Sequence, residues 1–289
     1  MTATLAPARP EATAGRATLA ALAARETRRF ILNPVFLFAV AITVWTIWAG
    51  RDPAVTDIDT VNSYPAIFLG GFGMMAAFGL TRSMRASEPV VGVTPVTLPA
   101  RTVALCAVAI VPFACGGLAL LGFLHFHPVS GPAYGPFSTS ARIVVLAGQI
   151  MVPALGGPLL GIALGRWVRF PGAAFLLFLI LYGWVTLVTI LSLWHQNSVP
   201  VAVLRLFAPF AFFTATGNTG DVTAWRGSPW FFIGWQLSLC AVAVLVALLR
   251  GAEGRVRLGV IRALAIAGVA ALILFVLAAT GGFPHAVTA

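Results

Sequence analysis

The sequence contains no lysine, because all eighteen of its basic residues are arginines. A phosphate-binding loop of the form G-x-x-x-x-G-K-[ST] uses its lysine as the charge that contacts the nucleotide phosphates. A Schiff base with a carbonyl substrate or cofactor likewise forms on a lysine amine. The chain therefore carries neither a nucleotide-hydrolysing loop of this type nor a Schiff-base site.

Charge of either sign is also scarce, at 9% of 289 residues, whereas 60% of the residues are hydrophobic and the mean hydropathy is +0.97. These values lie outside the range of soluble globular proteins and predict a polytopic membrane protein. All eight acidic residues map to loops, tails or the ends of apolar runs. A proton-coupled carrier usually needs a carboxylate within the membrane, so this distribution argues against a secondary transporter.

Motifs for covalent or metal chemistry are missing as well. Cys106, Cys115 and Cys240 stand inside apolar runs without C-x-x-C spacing, which is typical of small buried side chains. The chain has no H-E-x-x-H, no G-x-S-x-G and no paired carboxylates. We therefore predict no catalytic residues and no metal site.

Seven apolar runs are long enough to cross a bilayer, which takes about 17–25 residues. They cover residues 33–49, 63–81, 102–124, 142–165, 171–194, 230–249 and 263–280. We predict an all-α polytopic membrane protein in which residues 16–280 form a single transmembrane domain. Residues 1–15, rich in Ala, Thr and Pro, are predicted to be a disordered tail, and residues 281–289 a short tail.

The arginines predict the orientation, because positive charge is concentrated in cytoplasmic loops. With the N-terminus in the cytoplasm, most arginines fall on the inner side and only four fall outside. The inner set is Arg16, Arg25, Arg28, Arg29, Arg82, Arg85, Arg101, Arg166, Arg169, Arg250, Arg255, Arg257 and Arg262; the outer set is Arg51, Arg142, Arg205 and Arg226. The net charge of +10 then reflects orientation and does not indicate a nucleic-acid partner.

Two segments have intermediate character. Residues 16–32 combine apolar positions with Arg25, Arg28 and Arg29, which predicts an amphipathic helix on the inner surface with its arginines among anionic lipid headgroups. Residues 199–217 are apolar, but a full crossing would place Arg205 near the bilayer centre. We therefore predict an outer re-entrant segment there.

Some faces of the predicted spans suggest packing or binding. Gly157, Gly161 and Gly165 line one helix face and permit close approach of another backbone, within the chain or between subunits. Two further faces could be ordinary packing or the walls of a substrate path. They consist of Phe68, Phe72 and Met75 in the second span and Tyr182, Thr186 and Thr189 in the fifth. His125, His127 and His195 lie at predicted outer span ends, at depths that leave a haem or metal site open.

Two stretches resemble parts of a known transporter family. The segment "RETRRFILNPVFLF" (25–38) is similar to the connecting, or elbow, helix of ABC-2 type (type V exporter-like) ABC transporter permease subunits. The segment "GLTRSMRASEPVVGVTPVTLPARTVAL" (79–105) is similar to that family's inner loop between spans two and three. In that loop a basic, glutamate-containing stretch precedes a Ser/Thr-Pro pair and an arginine.

The resemblance implies a transport subunit that is not itself an enzyme. A separate cytoplasmic ATPase subunit, which would hold ATP and Mg²⁺, would dock on the loop 82–101. The residues expected to couple the two subunits are Arg82, Arg85, Ser87, Glu88, Pro89, Val90 and Thr94. Spans two and five of two permease copies, or of a copy and a paralogue, would line a path for a hydrophobic or amphipathic compound across the cell inner (plasma) membrane.

The family core has six spans, so residues 263–280 would be an extra C-terminal span. A different class of function is a membrane anchor or accessory subunit of a redox (haem or quinone) complex or of another multi-subunit membrane complex.

Overall fold

The computed structural model describes residues 11–51, 64–86, 97–126, 139–194, 200, 203–204, 214–216, 222–224, 226–282 and 287–288. The helices are α1 (Glu11–Ile31), α2 (Pro34–Ala49), a π-helix (Ala66–Phe72) continuous with α3 (Gly73–Ala86), α4 (Leu98–Ala107), α5 (Ile110–Phe126), α6 (Thr139–Trp167), α7 (Ala173–Trp194), α8 (Pro229–Leu249) and α9 (Gly254–Thr280). A small antiparallel sheet contains β1 (Thr214–Thr216), β2 (Val222–Ala224) and β3 (Val287–Thr288), in that order.

The predicted fold class is confirmed, since the chain forms an all-α polytopic membrane protein. Among the described residues, six helical segments are long and apolar enough to cross a membrane, counting the π-helix with α3 as one segment and α4 with α5 as another, and there are seven if the bent pair α1–α2 makes one span. Each of the seven predicted intervals coincides with a helix of the structure. The apolar runs therefore predicted the approximate bounds of the six candidate spans, and the first run, 33–49, corresponds to the second arm of the bent pair α1–α2.

Proline and asparagine explain two of the helix boundaries. Asn33 accepts a hydrogen bond from the backbone N–H of Val35 at 2.9 Å and Pro34 begins α2, so α1 and α2 meet at 62°. Between α4 and α5 the helix is interrupted at residues 108–109. Pro112 has no N–H to bond the carbonyl of Val108, four residues earlier, which accounts for the break.

Helix α6 is the centre of the bundle, because two thirds of its span (67%) is buried, the largest share of any candidate span among the described residues. Its glycine face packs directly on the π-helix and α3. A Cβ atom at Gly157 would overlap the backbone of Gly70, and one at Gly161 would overlap the carbonyl of Met74. The glycine series thus makes a close backbone contact within the chain.

One end of the bundle gathers most of the arginines, and we call it the basic end. The contacts that assemble it join α1 to α3 (Arg29 to Ser83), α6 to α8 (Trp167 to the carbonyl of Val246), and the α8–α9 turn to α4 (Gly251 beside Leu98). The described arginines of these elements are Arg25, Arg28, Arg29, Arg82, Arg85, Arg101, Arg166, Arg169, Arg250, Arg255, Arg257 and Arg262. The arginines assigned to one membrane side therefore lie together, apart from Arg16, whose side chain is outside the described part.

Several elements begin or end at other residues than predicted. Helix α1 begins at Glu11, so residues 11–15, which were predicted to belong to a disordered tail, are helical. Helix α3 continues to Ala86 and α4 begins at Leu98, so the ends of the predicted loop 82–101 are helical. Helix α9 begins at Gly254, nine residues before the predicted span 263–280.

The predicted outer re-entrant segment 199–217 lies mostly outside the described residues. Its last described part, Thr214–Thr216, is strand β1, which pairs with β2. Strand β2 in turn pairs with β3 near the C-terminus. The backbone N–H of Ser228 donates to the carbonyl of Ala278 at 3.1 Å, which ties the start of α8 to the end of α9.

Candidate functional site: an aromatic cleft and the basic end

A ladder of aromatic rings joins the second and fifth predicted spans. Tyr64, Phe68 and Phe72 stack on one another at centroid distances of 5.7 and 6.1 Å. Phe72 stacks on Phe178 of α7 at 6.0 Å, and Phe178 stacks on Tyr182 at 6.1 Å. The two faces that the sequence offered as possible walls of a path therefore meet, and Phe178 is the contact between them.

The π-helix brings this ladder into position. Residues four apart on a helix lie on one face, so Phe68 and Phe72 point the same way. The intervening Gly70 and Gly71 face the two neighbouring helices. A Cβ at Gly70 would come within 2.9 Å of the carbonyl oxygen of Pro153 in α6, and a Cβ at Gly71 would overlap the ring of Phe178. The two glycines let the π-helix fit between α6 and the ring of Phe178.

An open cleft with a cavity volume of about 70 Å³ lies between the π-helix, α6 and α7. Its lining residues are Ala66, Ile67, Gly70, Gly71, Met74, Pro153, Gly157, Leu160, Phe178, Leu181, Tyr182 and Val185. These side chains are apolar except for the hydroxyl of Tyr182, which is 48% exposed. Such a surface can hold an apolar or aromatic group by burial and ring stacking, and the Tyr182 hydroxyl is the polar group that its lining contributes.

Of the six predicted path residues only Tyr182 lines the cleft, whereas Phe68 and Phe72 belong to the aromatic ladder and the other three lie elsewhere. Met75 packs with Phe78, Ala173 and Ala174 at the start of α7, and its neighbour Met74 lines the cleft in its place. The hydroxyl of Thr189 donates to the carbonyl of Val185 at 2.8 Å, within its own helix. Thr186 is exposed and does not line the cleft.

Sequence reasoning missed the central residue of the ladder. Phe178 precedes Tyr182 by four residues, so extending the Tyr182–Thr186 face by one turn toward the N-terminus would have found it. Phe38 of α2 was missed too, and its ring meets Phe72 edge-on at 5.6 Å. That contact joins two helices distant in the sequence, so no local pattern signals it.

At the basic end, α1 packs against both helices that flank residues 87–96. Arg29 pairs with Glu26 at 3.0 Å and donates to the hydroxyl of Ser83 in α3 at 3.1 Å. Phe30 is fully buried and its ring lies 4.4 Å from that of Phe36 in α2. Arg25 and Arg28 are exposed, as an amphipathic surface helix requires.

The residues implied to couple this chain to an ATPase fall into two groups. Arg82 and Arg85 lie in the last turns of α3; Arg82 is exposed, and Arg85 donates to the carbonyl of Gly165 at 3.5 Å. Ser87, Glu88, Pro89, Val90 and Thr94 lie outside the described residues. Beyond them, Thr97 caps α4 by accepting a hydrogen bond from the backbone N–H of Ala100 at 3.4 Å.

The polar residues that could hold a cofactor are dispersed. His125 is exposed at the end of α5, beside the ring of Phe126 at 5.1 Å, and His127 and His195 lie outside the described residues. Within the described part of the chain, no group of three or more His, Cys, Asp or Glu side chains could hold a metal ion. Cys106, Cys115 and Cys240 are free thiols in the helices α4, α5 and α8.

Comparisons with protein-family models, with curated proteins and with solved structures found no match to this chain. The fold and the composition define a polytopic α-helical membrane protein. The resemblance to ABC-2 permeases stays a prediction.

Proposed function

We propose that this chain is the permease subunit of an ABC exporter of the ABC-2 class, inserted in the plasma membrane with its N-terminus in the cytoplasm. The observation that carries the proposal is the contact of Phe72 with Phe178, which joins the second and fifth spans around an apolar cleft. In the family that the sequence resembles, these two spans line the transport path. The cleft supports a hydrophobic or amphipathic substrate, since its lining offers apolar and aromatic contacts.

The basic end would receive the ATPase partner in this proposal. Residues 87–96 join α3 to α4, and α1 packs against both helices. A displacement of this loop by a closing ATPase pair would therefore act on α1, α3 and α4 together. Because α3 continues directly into the π-helix, its movement would reach the aromatic ladder as a rigid-body shift.

The direct test is transport by the reconstituted complex. The chain would be co-expressed with the products of neighbouring reading frames, purified, and placed in proteoliposomes with a hydrophobic fluorescent dye. We expect an ATPase to co-purify and ATP to drive movement of the dye. If no ATPase co-purifies and the membranes show no added ATP hydrolysis, the proposal is wrong.

The same assay tests the docking residues. Arg85→Ala and Glu88→Ala should lower the amount of dye moved per ATP hydrolysed while leaving the protein folded. Arg169→Ala is the matched control, because it removes an exposed arginine at the same end but between α6 and α7. Unchanged coupling in both test variants would place the docking contact elsewhere in 82–101.

A further inference from the structure

The start of α9 carries two arginines on the side that faces away from the protein. At about 100° per residue, Arg255 and Arg262 are about 20° apart around the helix axis. Ala271 and Ala278, the buried residues of α9, lie about 140–160° further round and face the bundle. Arg257 lies about 200° from Arg255, at the edge of the packed face.

This outward face continues as a purely apolar surface along the helix. Only 6% of the candidate span is buried, and Ile266, Val269 and Ile273 are 71%, 58% and 53% exposed. The two arginines are exposed as well. The face thus begins with two arginines and continues as an apolar surface. This order matches a phospholipid, which has a headgroup at one end and acyl chains at the other.

The length of α9 lets its first turns extend beyond the hydrocarbon core, with Arg255 in the headgroup region and Arg262, about 10 Å further along the axis, at the edge of the core. Its 27 residues span about 40 Å, against a hydrocarbon thickness of about 30 Å. Trp167 marks the level of the membrane interface beside the start of α9. Arg250 lies 5.3 Å over its ring, and its indole N–H donates to the carbonyl of Val246 at 2.9 Å. Tryptophan is enriched at this level of the membrane, so the first turns of α9 emerge from the hydrocarbon core.

An open glycine position, which we call the notch, separates Arg255 from Arg262 along the helix axis. Gly259 lies between Arg255 and Arg262 on the same face, and no atom comes within 4 Å of the position that a Cβ there would take. A side chain at this position would fill the space between the arginines. Glycine leaves room for a phosphate group to approach both of them.

We infer that Arg255, Gly259 and Arg262 form a binding site for an anionic phospholipid, with the phosphate between the arginines and the acyl chains along Ile266, Val269 and Ile273. The requirement for arginine on one membrane side explains why such residues are present but not why two of them share the lipid-facing side of one helix. Charge complementarity selects an anionic headgroup. The inference concerns α9 alone and does not depend on the proposed transport activity.

Native mass spectrometry of the purified full chain in detergent tests the site. The protein would be titrated with phosphatidylglycerol or with phosphatidylcholine of the same acyl chains. We expect tighter binding of phosphatidylglycerol, and the double substitution Arg255→Gln/Arg262→Gln should weaken it about ten-fold or more. An arginine in contact with an anionic headgroup contributes a factor of about five in affinity, so the loss of both contacts accounts for this change. Gly259→Leu should also weaken binding, because it fills the notch without changing charge.

The matched control is Arg169→Gln/Arg257→Gln, which removes two exposed arginines of the same end outside the notch. It should change phosphatidylglycerol binding by less than about two-fold. Equal weakening in both double variants would reduce the effect to net charge and overturn the site, as would equal affinity of the unsubstituted protein for the two lipids. If Arg255→Gln/Arg262→Gln keeps its lipid binding but no longer retains a co-purified protein, the face binds a protein partner and the lipid site is wrong.

Discussion

The π-helix has two neighbours that hold it in different ways. Against α6 the contact is backbone to backbone, through Gly70 on one side and Gly157 on the other. Against α7 the contact is ring to ring, between Phe72 and Phe178. The burial of the two neighbours differs accordingly, at 67% of the α6 span and 11% of the α7 span.

This difference divides the bundle into a tightly packed part, which we call the fixed block, and the helix α7, which makes fewer contacts with it. Backbone atoms in van der Waals contact cannot be displaced without moving a whole helix, so α6, the π-helix and α3 act as one block. Helix α7 is attached to that block and to α8 at separate points along its length: Ala173–Ala174 beside Phe78, Phe178 on Phe72, and Val188 in a cluster with Trp235. The cleft lies along the boundary between the two parts.

The largest effect should come from substitutions at the backbone contact. Gly161→Ala places a methyl group where the carbonyl of Met74 lies, and overpacking of this kind costs about 1–3 kcal/mol. We expect a lower midpoint of thermal unfolding in detergent, followed by tryptophan fluorescence. Gly157→Ala should behave in the same way, because it meets the backbone of Gly70.

The control for this prediction is Gly79→Ala in α3. No atom lies within 4 Å of a Cβ at Gly79, and alanine is favoured over glycine inside a helix by about 0.5–1 kcal/mol. The same chemical change should therefore stabilise the protein at residue 79 and destabilise it at residue 161. A shift of the same sign at both positions would contradict the close packing of α6 on α3.

A smaller effect is expected at the ring contact. Phe178→Ala removes the stacking with Phe72 and Tyr182, and aromatic pairs contribute about 0.5–1.5 kcal/mol each beyond burial. The unfolding midpoint should fall, whereas Phe175→Ala, at a residue 56% exposed three positions earlier, should leave it nearly unchanged. Equal losses would mean that the ladder contributes nothing specific.

A double-mutant cycle sharpens the result. Gly71→Ala alone should destabilise, because the new methyl group meets the ring of Phe178. In the Phe178→Ala background the same change should be tolerated, since the ring is gone. The double variant should therefore be more stable than the sum of the two single-variant effects predicts. Additive effects would show that Gly71 does not face this ring.

The spans could be read from the sequence because each apolar run is long and bounded by polar residues, as in 230–249. The glycine face of α6 was also visible, since Gly157, Gly161 and Gly165 recur every four residues. The sequence did not predict which helix those glycines contact, because a face of small residues indicates close approach but does not identify the neighbouring helix. The π-helix left no signal either, because its residues are compatible with an ordinary helix.

Only part of the candidate site could be predicted from the sequence, for a related reason. Faces such as Phe68–Phe72 follow from helix periodicity, but whether two faces touch depends on how their helices cross. The assignment of Met75 shows the limit: neighbouring residues on a helix differ by about 100°, and the change to π-helix geometry upstream alters the phase. Met74 therefore lines the cleft, where the α-helical periodicity had predicted Met75.

The smallest effect is expected at the hydroxyls of α7. Thr189 already donates to the carbonyl of Val185, and Thr186 is exposed away from the cleft lining, so neither hydroxyl is committed to another helix by these contacts. Thr189→Val and Thr186→Val should each shift the free energy of unfolding by less than about 0.5 kcal/mol. In the transport assay both should move the dye as the unsubstituted protein does, whereas Phe178→Ala should slow it. If either threonine substitution impairs dye movement without lowering the unfolding midpoint, the path follows the hydroxyl face of α7, and the aromatic cleft is then packing between the fixed block and α7.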